Sequence, residues 1–312
     1  MIKHLTYSAA ILAGMTASAS VAQTNNAPLY DNSPEYSPHV DYRPPLDANG
    51  YDAAWYNFPA NSAANTHFNL DFKGSILGFP LISGKYEGAL DNGRYNVRTL
   101  LRTSGLGALV KKLRIWSVTK GTYNGSGLYP LSHTQQNQDK KGRRVEMIYD
   151  YDAGQVNSRI YPHISSKGTP PASQKEKFAA DDAVSAVLNL MARQTSGQNA
   201  HLDAPLCTGD VRVFDSKQHY ALRMVKGGTD KKKFFGKTTD IIECQIYYVP
   251  ISGFDPEDLP SKNEGSTPIN AQMMKNEELG IYVPIRMSYK ISGFTAVIKI
   301  TDMQVNGRSL NQ

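Results

Sequence analysis

Long apolar runs and cysteine are both scarce in this chain, and each scarcity excludes something. Past the first 22 residues no stretch approaches the roughly 20 consecutive apolar residues that a membrane-spanning helix needs, so none is expected. Two cysteines, Cys207 and Cys244, cannot make a multi-disulfide scaffold, and they form no CxxC or Cys/His spacing for zinc. Motifs that carry chemistry are missing too: there is no HExxH, no GxSxG and no P-loop, and Gly105-Leu106-Gly107 continues to Val110 where a third glycine would be required. His67, His133, His163, His201 and His219 lie singly on separate segments, a pattern of strand or surface histidines and not of a metal cluster. No cofactor or metal is therefore expected. A large excess of one charge is also lacking, with 34 Lys and Arg against 28 Asp and Glu and a net charge of +6. Nucleic acid is not an expected partner, and acidic envelope surfaces are the one electrostatic target left.

What is present begins with an export signal over residues 1–22. Lys3 supplies the positive charge, Leu5 to Met15 the apolar run, and Ser18-Ala19-Ser20-Val21-Ala22 the small residues before Gln23. Cleavage there would remove Lys3 and leave a net charge of +5. Gln23 stands where lipoprotein processing would need a cysteine, so the expectation is a soluble protein of the periplasm, with the extracellular space as the alternative. In such a compartment the only two cysteines are expected to pair as a Cys207–Cys244 disulfide. A loop of this length gives about 4 kcal/mol in the chain-entropy model.

Residues 23–65 are dense in proline and tyrosine, with Pro28, Pro34, Pro38, Pro44, Pro45 and Pro59 interrupting every candidate element; this leader is expected to be largely irregular. From Phe68 onward, strands follow one another. Phe68, Leu70 and Phe72 alternate with polar residues, and Tyr86 to Leu90 and Tyr95 to Leu101 flank the turn signal Asp91-Asn92-Gly93. Further strands are predicted around Ile115 to Lys120, Leu128 to Gln135, Arg143 to Tyr151 and Val156 to Tyr161, and again at Asp210 to Asp215, Tyr220 to Val225, Thr239 to Val249, Ile281 to Lys290 and Thr295 to Met303. No connection among the first group is long enough for a crossover helix, so that pairing is antiparallel.

One long segment breaks this period. Val184, Val187, Leu188 and Met191 fall at i, i+3, i+4 and i+7, which predicts a buried helix over residues 181–193. Asp181 and Asp182 suit its N-terminus, Arg193 and Gly197 its end. The resulting expectation is an all-β domain over 66–312, an antiparallel, strongly curved or spiral sheet or half-barrel around a mid-chain helix. Two small β domains joined near Pro170 are the alternative.

This pattern resembles a family of exported bacterial proteins, the domain of unknown function 3108. The likeness lies in Tyr86-Glu87-Gly88, Arg143 to Asp150, the helix from Asp181 to Leu188, Phe214-Asp215 with Tyr220 to Arg223, and Cys244 to Phe254. It implies an exported location and a fold type, without implying a chemistry. The leader and the stretch from Asp255 to Gly280 depart from the pattern, the latter read as an insert.

Candidate sites are few. Ser185 on the buried helix could serve as a nucleophile only with a base that the sequence does not identify, and Asp150 and Asp152 flank Tyr151 where aspartate ordinarily serves a turn. The strongest polar signal is Lys231, Lys232 and Lys233 followed by Phe234 and Phe235, a surface element suited to anionic groups, or else a solvated hairpin tip. Three functions follow: a non-catalytic envelope protein holding a lipid-like or amphipathic ligand in the concave face of the sheet; a structural or interaction protein binding peptidoglycan, polysaccharide or another protein; or a hydrolase with an unrecognised site. The sequence does not fix an oligomeric state.

Overall fold

The computed structural model describes residues 66–309 apart from 92, 111, 125–126, 138–142, 193–205 and 292. The expected signal, the proline-rich leader, and Arg193 and Gly197 lie outside the described residues. Strands are β1 (Thr66–Ile76), β2 (Phe79–Asp91), β3 (Arg94–Thr103), β4 (Arg114–Asn124), β5 (Gly127–Asn137), β6 (Arg144–Asp150) and β7 (Gln155–Tyr161), then β8 (Gly209–Phe214), β9 (His219–Phe234), β10 (Lys237–Ser252), β11 (Ile269–Asn276), β12 (Ile281–Ile291), β13 (Phe294–Val305) and β14 (Arg308–Ser309). Among the described residues four α-helices lie between them, α1 (Leu106–Val110), α2 (Gln174–Phe178), α3 (Ala183–Ala192) and α4 (Lys262–Ser266), with a short 3-10 helix at Pro256–Asp258.

All these strands belong to one antiparallel sheet, in the order β7-β6-β5-β4-β3-β2-β1-β13-β12-β11-β10-β9-β8, with β14 beside β13. Each half is a meander of neighbouring hairpins, and the halves meet where β1 pairs with β13, Phe68 opposite Val305. The sheet curls without closing. Helix α3 lies in the curl and touches β3, β4 and β5 from one half and β8 and β12 from the other.

The core follows from that placement. Val184, Leu188 and Met191 pack on Phe68, Tyr86, Val97, Val283 and Met303. A second side of the helix, Ala183, Ala186 and Leu190, packs on Val213, Tyr220, Leu222, Ile246 and Met273. Val187 is half-buried against the first cluster. A helix apolar on two sides can form only inside a sheet that embraces it, and burying a side chain of this kind contributes about 1.5–3 kcal/mol.

The two edge strands, β7 and β8, are bridged by the segment between them. The Gln174 side chain accepts from Val156 N–H at 3.2 Å. Asp181 N–H donates to Arg212 O at 3.0 Å, and Phe214 N–H to Asp181 O at 2.9 Å. Beneath this strap Val145, Met147, Tyr149, Val156, Ala172, Ala180 and Phe214 form a separate buried cluster. Edges that would otherwise invite pairing with another chain are thereby covered.

Three expectations change. The helix begins at Ala183, because Asp181 is spent on the bridge to Val213 and Asp182 is its N-cap. The supposed insert from Asp255 to Gly280 contains β11, an interior strand of the sheet with Met273 fully buried. Lys231 to Phe234 do not form a loop between strands: they continue β9, opposite Asp240, Thr239, Thr238 and Lys237.

Candidate functional site

The densest polar group in the interior centres on Asp182, which is fully buried. As the N-cap of α3 it accepts from the N–H of Val184 at 3.0 Å and of Ser185 at 3.1 Å, satisfying two of the free donors at the helix start. The Ser185 hydroxyl donates to Asp182 Oδ2 at 2.5 Å, and Thr119 Oγ1 to Oδ1 at 2.9 Å. His133 Nδ1 lies 3.0 Å from the same Oδ1 and 2.7 Å from Thr119 Oγ1. Because the single Thr119 proton goes to Asp182, the bond between Thr119 and His133 requires Nδ1 to carry a proton. By the same reasoning Tyr95 OH donates to Ser185 Oγ at 2.8 Å. Tyr86 OH donates to the carbonyl of Val184 at 2.9 Å.

Electrostatics follow from this arrangement. Burial acts to raise the pKa of Asp182, but His133 and the hydrogen bonds from His133 and Ser185 outweigh it and hold the carboxyl below its ordinary value. Burial, with the Asp182 charge added, pushes Tyr86 and Tyr95 well above the usual tyrosine range. The group is a carboxylate saturated with donors.

Serine, histidine and aspartate thus stand together, yet their order does not suit catalysis. A serine relay needs the hydroxyl on the imidazole and the carboxylate behind it. Here Ser185 and His133 both bond the carboxylate. Asp182 and Ser185 have no solvent exposure and His133 has 4%, so a substrate has no approach. The arrangement fastens α3 to β3, β4 and β5.

A second polar group lies under the turn between β8 and β9. Asp215 accepts from the N–H groups of Lys217 and Gln218. Buried Lys217 reaches Asp255 at 2.6 Å and Asp258 at 3.4 Å, and Ser166 also donates to Asp255. His219 is fully buried, its Nδ1 3.8 Å from Glu176 and neither ring nitrogen hydrogen-bonded. Desolvation, offset in part by Glu176, lowers its pKa. This group ties the β10–β11 connection and α2 to the hairpin.

Cys207 and Cys244 are bonded and fully or nearly fully buried, with Cα atoms 5.2 Å apart, joining the lead-in to β8 with β10. The basic stretch lies at the end of the β9–β10 hairpin. Lys231 faces Asp240 at 3.7 Å, and Lys232 lies 3.5 Å from Asp230 and 3.7 Å from Glu243. Phe234 and Phe235 contact each other, centroids 4.0 Å apart, and pack on the cluster around Leu188. Asp150 accepts from Ala153 N–H, as a turn aspartate does. Among the described residues no three His, Cys, Asp or Glu side chains converge as metal ligands.

Sequence reasoning missed the partners of Asp182. The signal was present in β4, where Ile115, Ser117 and Thr119 share one face and two of the three are polar although all are buried. A buried face of that kind calls for partners, which His133 and Asp182 supply for Thr119, while the Ser117 hydroxyl has none among the described residues.

No protein-family model matches the chain and no curated protein matches it, so the resemblance to the domain of unknown function 3108 rests on the residues quoted for it. Among solved structures, the chain is similar to a β-barrel-like protein of domain of unknown function 1849 from Brucella abortus. The identity is 12%, covering 78% of this chain and 98% of that one, with a TM-score of 0.45. It is also similar to a candidate lipoprotein from Parabacteroides distasonis, at 10% identity over 76% of this chain and 94% of that one, with a TM-score of 0.28. A likeness at this level transfers no activity. The chain is an all-β protein built on one large antiparallel sheet that does not close.

Proposed function

We propose that this chain is a non-catalytic exported protein of the cell envelope, in the periplasm by preference, that acts through its outer surface as an interaction protein. The observation that carries the reading is the position of α3. The concave side of the sheet, where a lipid-like ligand would have to lie, is occupied by the chain's own helix and two side-chain clusters. The Cys207–Cys244 bond supports export, since disulfides persist in oxidising compartments. The donor-saturated Asp182 argues against a hydrolase. The test is a titration of the purified chain with a fluorescent fatty acid. Absence of a saturable site is expected, whereas one-to-one binding that raises the melting temperature would return the function to the concave face.

A further inference from the structure

The outer face of the sheet carries a row of cations that register, not sequence proximity, brings together. Arg114 of β4 is opposite Arg102 of β3, Arg102 is opposite Ser83 of β2, and Ser83 is opposite Lys73 of β1. Lys73 is opposite Lys299 of β13, and Lys299 is opposite Arg286 of β12. Five of six successive cross-strand positions are therefore cationic, and the sixth, Ser83, accepts from Arg102 Nε at 3.1 Å. Beyond Arg286 the row continues through Gln272 to Glu243, the first anion along it. Like charges directly opposite one another oppose folding, so a row of this kind is a cost to the isolated protein. None of the five has an ion pair among the described residues. No Asp or Glu occurs in residues 72–86, 92–138 or 279–301, the segments that supply this part of the sheet.

The row runs parallel to a rim that exposes apolar residues. Leu77 at the β1–β2 turn is 68% exposed, Leu109 on α1 82%, and Phe79, Leu106 and Phe294 are about half exposed. These sit on three adjacent connections: α1 is tied to β2 through Ser104 N–H to Leu81 O, and Ile76 beside the first turn pairs with Ala296 beside the third. Leu77 stands at φ +52° before Gly78, the left-handed position that Asn306 fills before Gly307 in the β13–β14 turn. Asparagine tolerates that backbone and leucine does so at a cost, so the turn presents a large apolar side chain against its own preference.

Building on the reading that the outer surface is the functional one, we propose that this rim docks the protein on an anionic lipid surface. The cations lie four or five residues from the tips, about 13–17 Å along the strands and less along a tilted axis. Lys and Arg side chains extend toward a polar boundary while their stems stay on apolar surface. Tips entering an interface to the usual depth of about 5–10 Å would thus bring the cation row to the phosphates. Separate projecting tips backed by one sign of charge fit a fluid anionic layer better than a flat protein partner. The opposite end is a weaker match, since Lys231 and Lys232 there lie beside Asp240, Asp230 and Glu243, and Phe234 and Phe235 pack on the cluster around Leu188.

Cosedimentation of the full chain with vesicles of phosphatidylcholine, alone or mixed with phosphatidylglycerol, at low and physiological salt, tests the proposal. Every variant keeps the same N-terminal apolar run, so differences report on the rim. Wild type should bind the mixed vesicles about a hundredfold tighter at low salt, and less so at high salt. Changing Lys73, Arg102, Arg114, Arg286 and Lys299 together to Gln should abolish that preference with the melting temperature unchanged or higher, because a like-charge row has been removed. Leu77→Ser, Leu109→Ser and Phe294→Ser together should weaken binding at both salts, and Gln at Lys231, Lys232 and Lys233 should change nothing. The proposal is overturned if the five-Gln variant keeps the preference, if the triple-lysine variant loses it, or if wild type binds soluble heparin but not the mixed vesicles. None of these outcomes bears on the fatty-acid titration, so the two readings fail separately.

Discussion

At the scale of single residues, Asp182 and His219 show two ways of burying a polar group. Asp182 is surrounded by donors, and removing it would orphan the hydroxyls of Thr119 and Ser185, the His133 N–H and two backbone N–H groups at once. Each such loss costs about 1–3 kcal/mol without adding in full, so Asp182→Ala should lower stability by about 3 kcal/mol or more in chemical denaturation. Asp182→Asn, which keeps one acceptor oxygen, should cost less; equal losses would mean that the charge, not the acceptor geometry, is what matters. His219 is the opposite case, a buried imidazole with no hydrogen bond. Its pKa is depressed in the folded protein, so as pH falls through about 6.5 the unfolded chain takes up a proton that the folded one resists. Stability should therefore fall from pH 7 toward 5, with Glu176 partly offsetting the effect and Arg212 adding to it. His219→Leu should flatten that limb. An unchanged slope in the variant would take the limb between pH 7 and 5 away from His219; the lowered carboxyls of Asp182 and Asp255 do not supply it, since they act only below the ordinary carboxylate range.

At the scale of elements, most of the sheet was legible because alternation is a direct consequence of one buried face. Phe68, Leu70 and Phe72, the Asp91–Gly93 turn, and the strands from Arg143 to Tyr161 all stand where period and turn chemistry put them. β11 was not legible. Its Ile269, Ala271 and Met273 face the core, but they follow an acidic, glycine- and proline-bearing stretch whose composition reads as a loop. The long β9–β10 hairpin was obscured for a related reason: Gly227, Gly228 and the three lysines lack β propensity, and ladder pairing to β10 overrides it. The helix was legible from its stripe, and Ala183, Ala186 and Leu190, which widen that stripe, form its second packed side. Leu188→Asp would place a carboxylate in the cluster with Val97 and Val283, and loss of the cooperative melting transition is expected. Asn189→Asp is a poor control, because Asn189 donates to Asp181 at 3.1 Å and a second carboxylate there would repel it. Asn189→Ala should cost only about 1 kcal/mol, and similar melting of the Leu188 and Asn189 variants would remove α3 from the core.

At the scale of the whole molecule, an open sheet of fourteen strands is finished by devices that no local pattern announces. The strap from α2 to Asp181 covers both edge strands, the Lys217 group fixes the β8–β9 turn to the β10–β11 connection, and the disulfide joins β10 to the start of β8. These are long-range pairings, visible only when register is known, as is the cation row from Arg114 to Arg286. What they leave is a closed interior and a polarised exterior. Hydrogen exchange with and without phosphatidylglycerol-containing vesicles tests that division most directly. Amides of residues 184–192 should be among the slowest to exchange and be indifferent to vesicles, while protection should rise around residues 77–79, 106–109 and 293–295. Fast exchange in the helix, or vesicle-dependent change there with none at the rim, would contradict it.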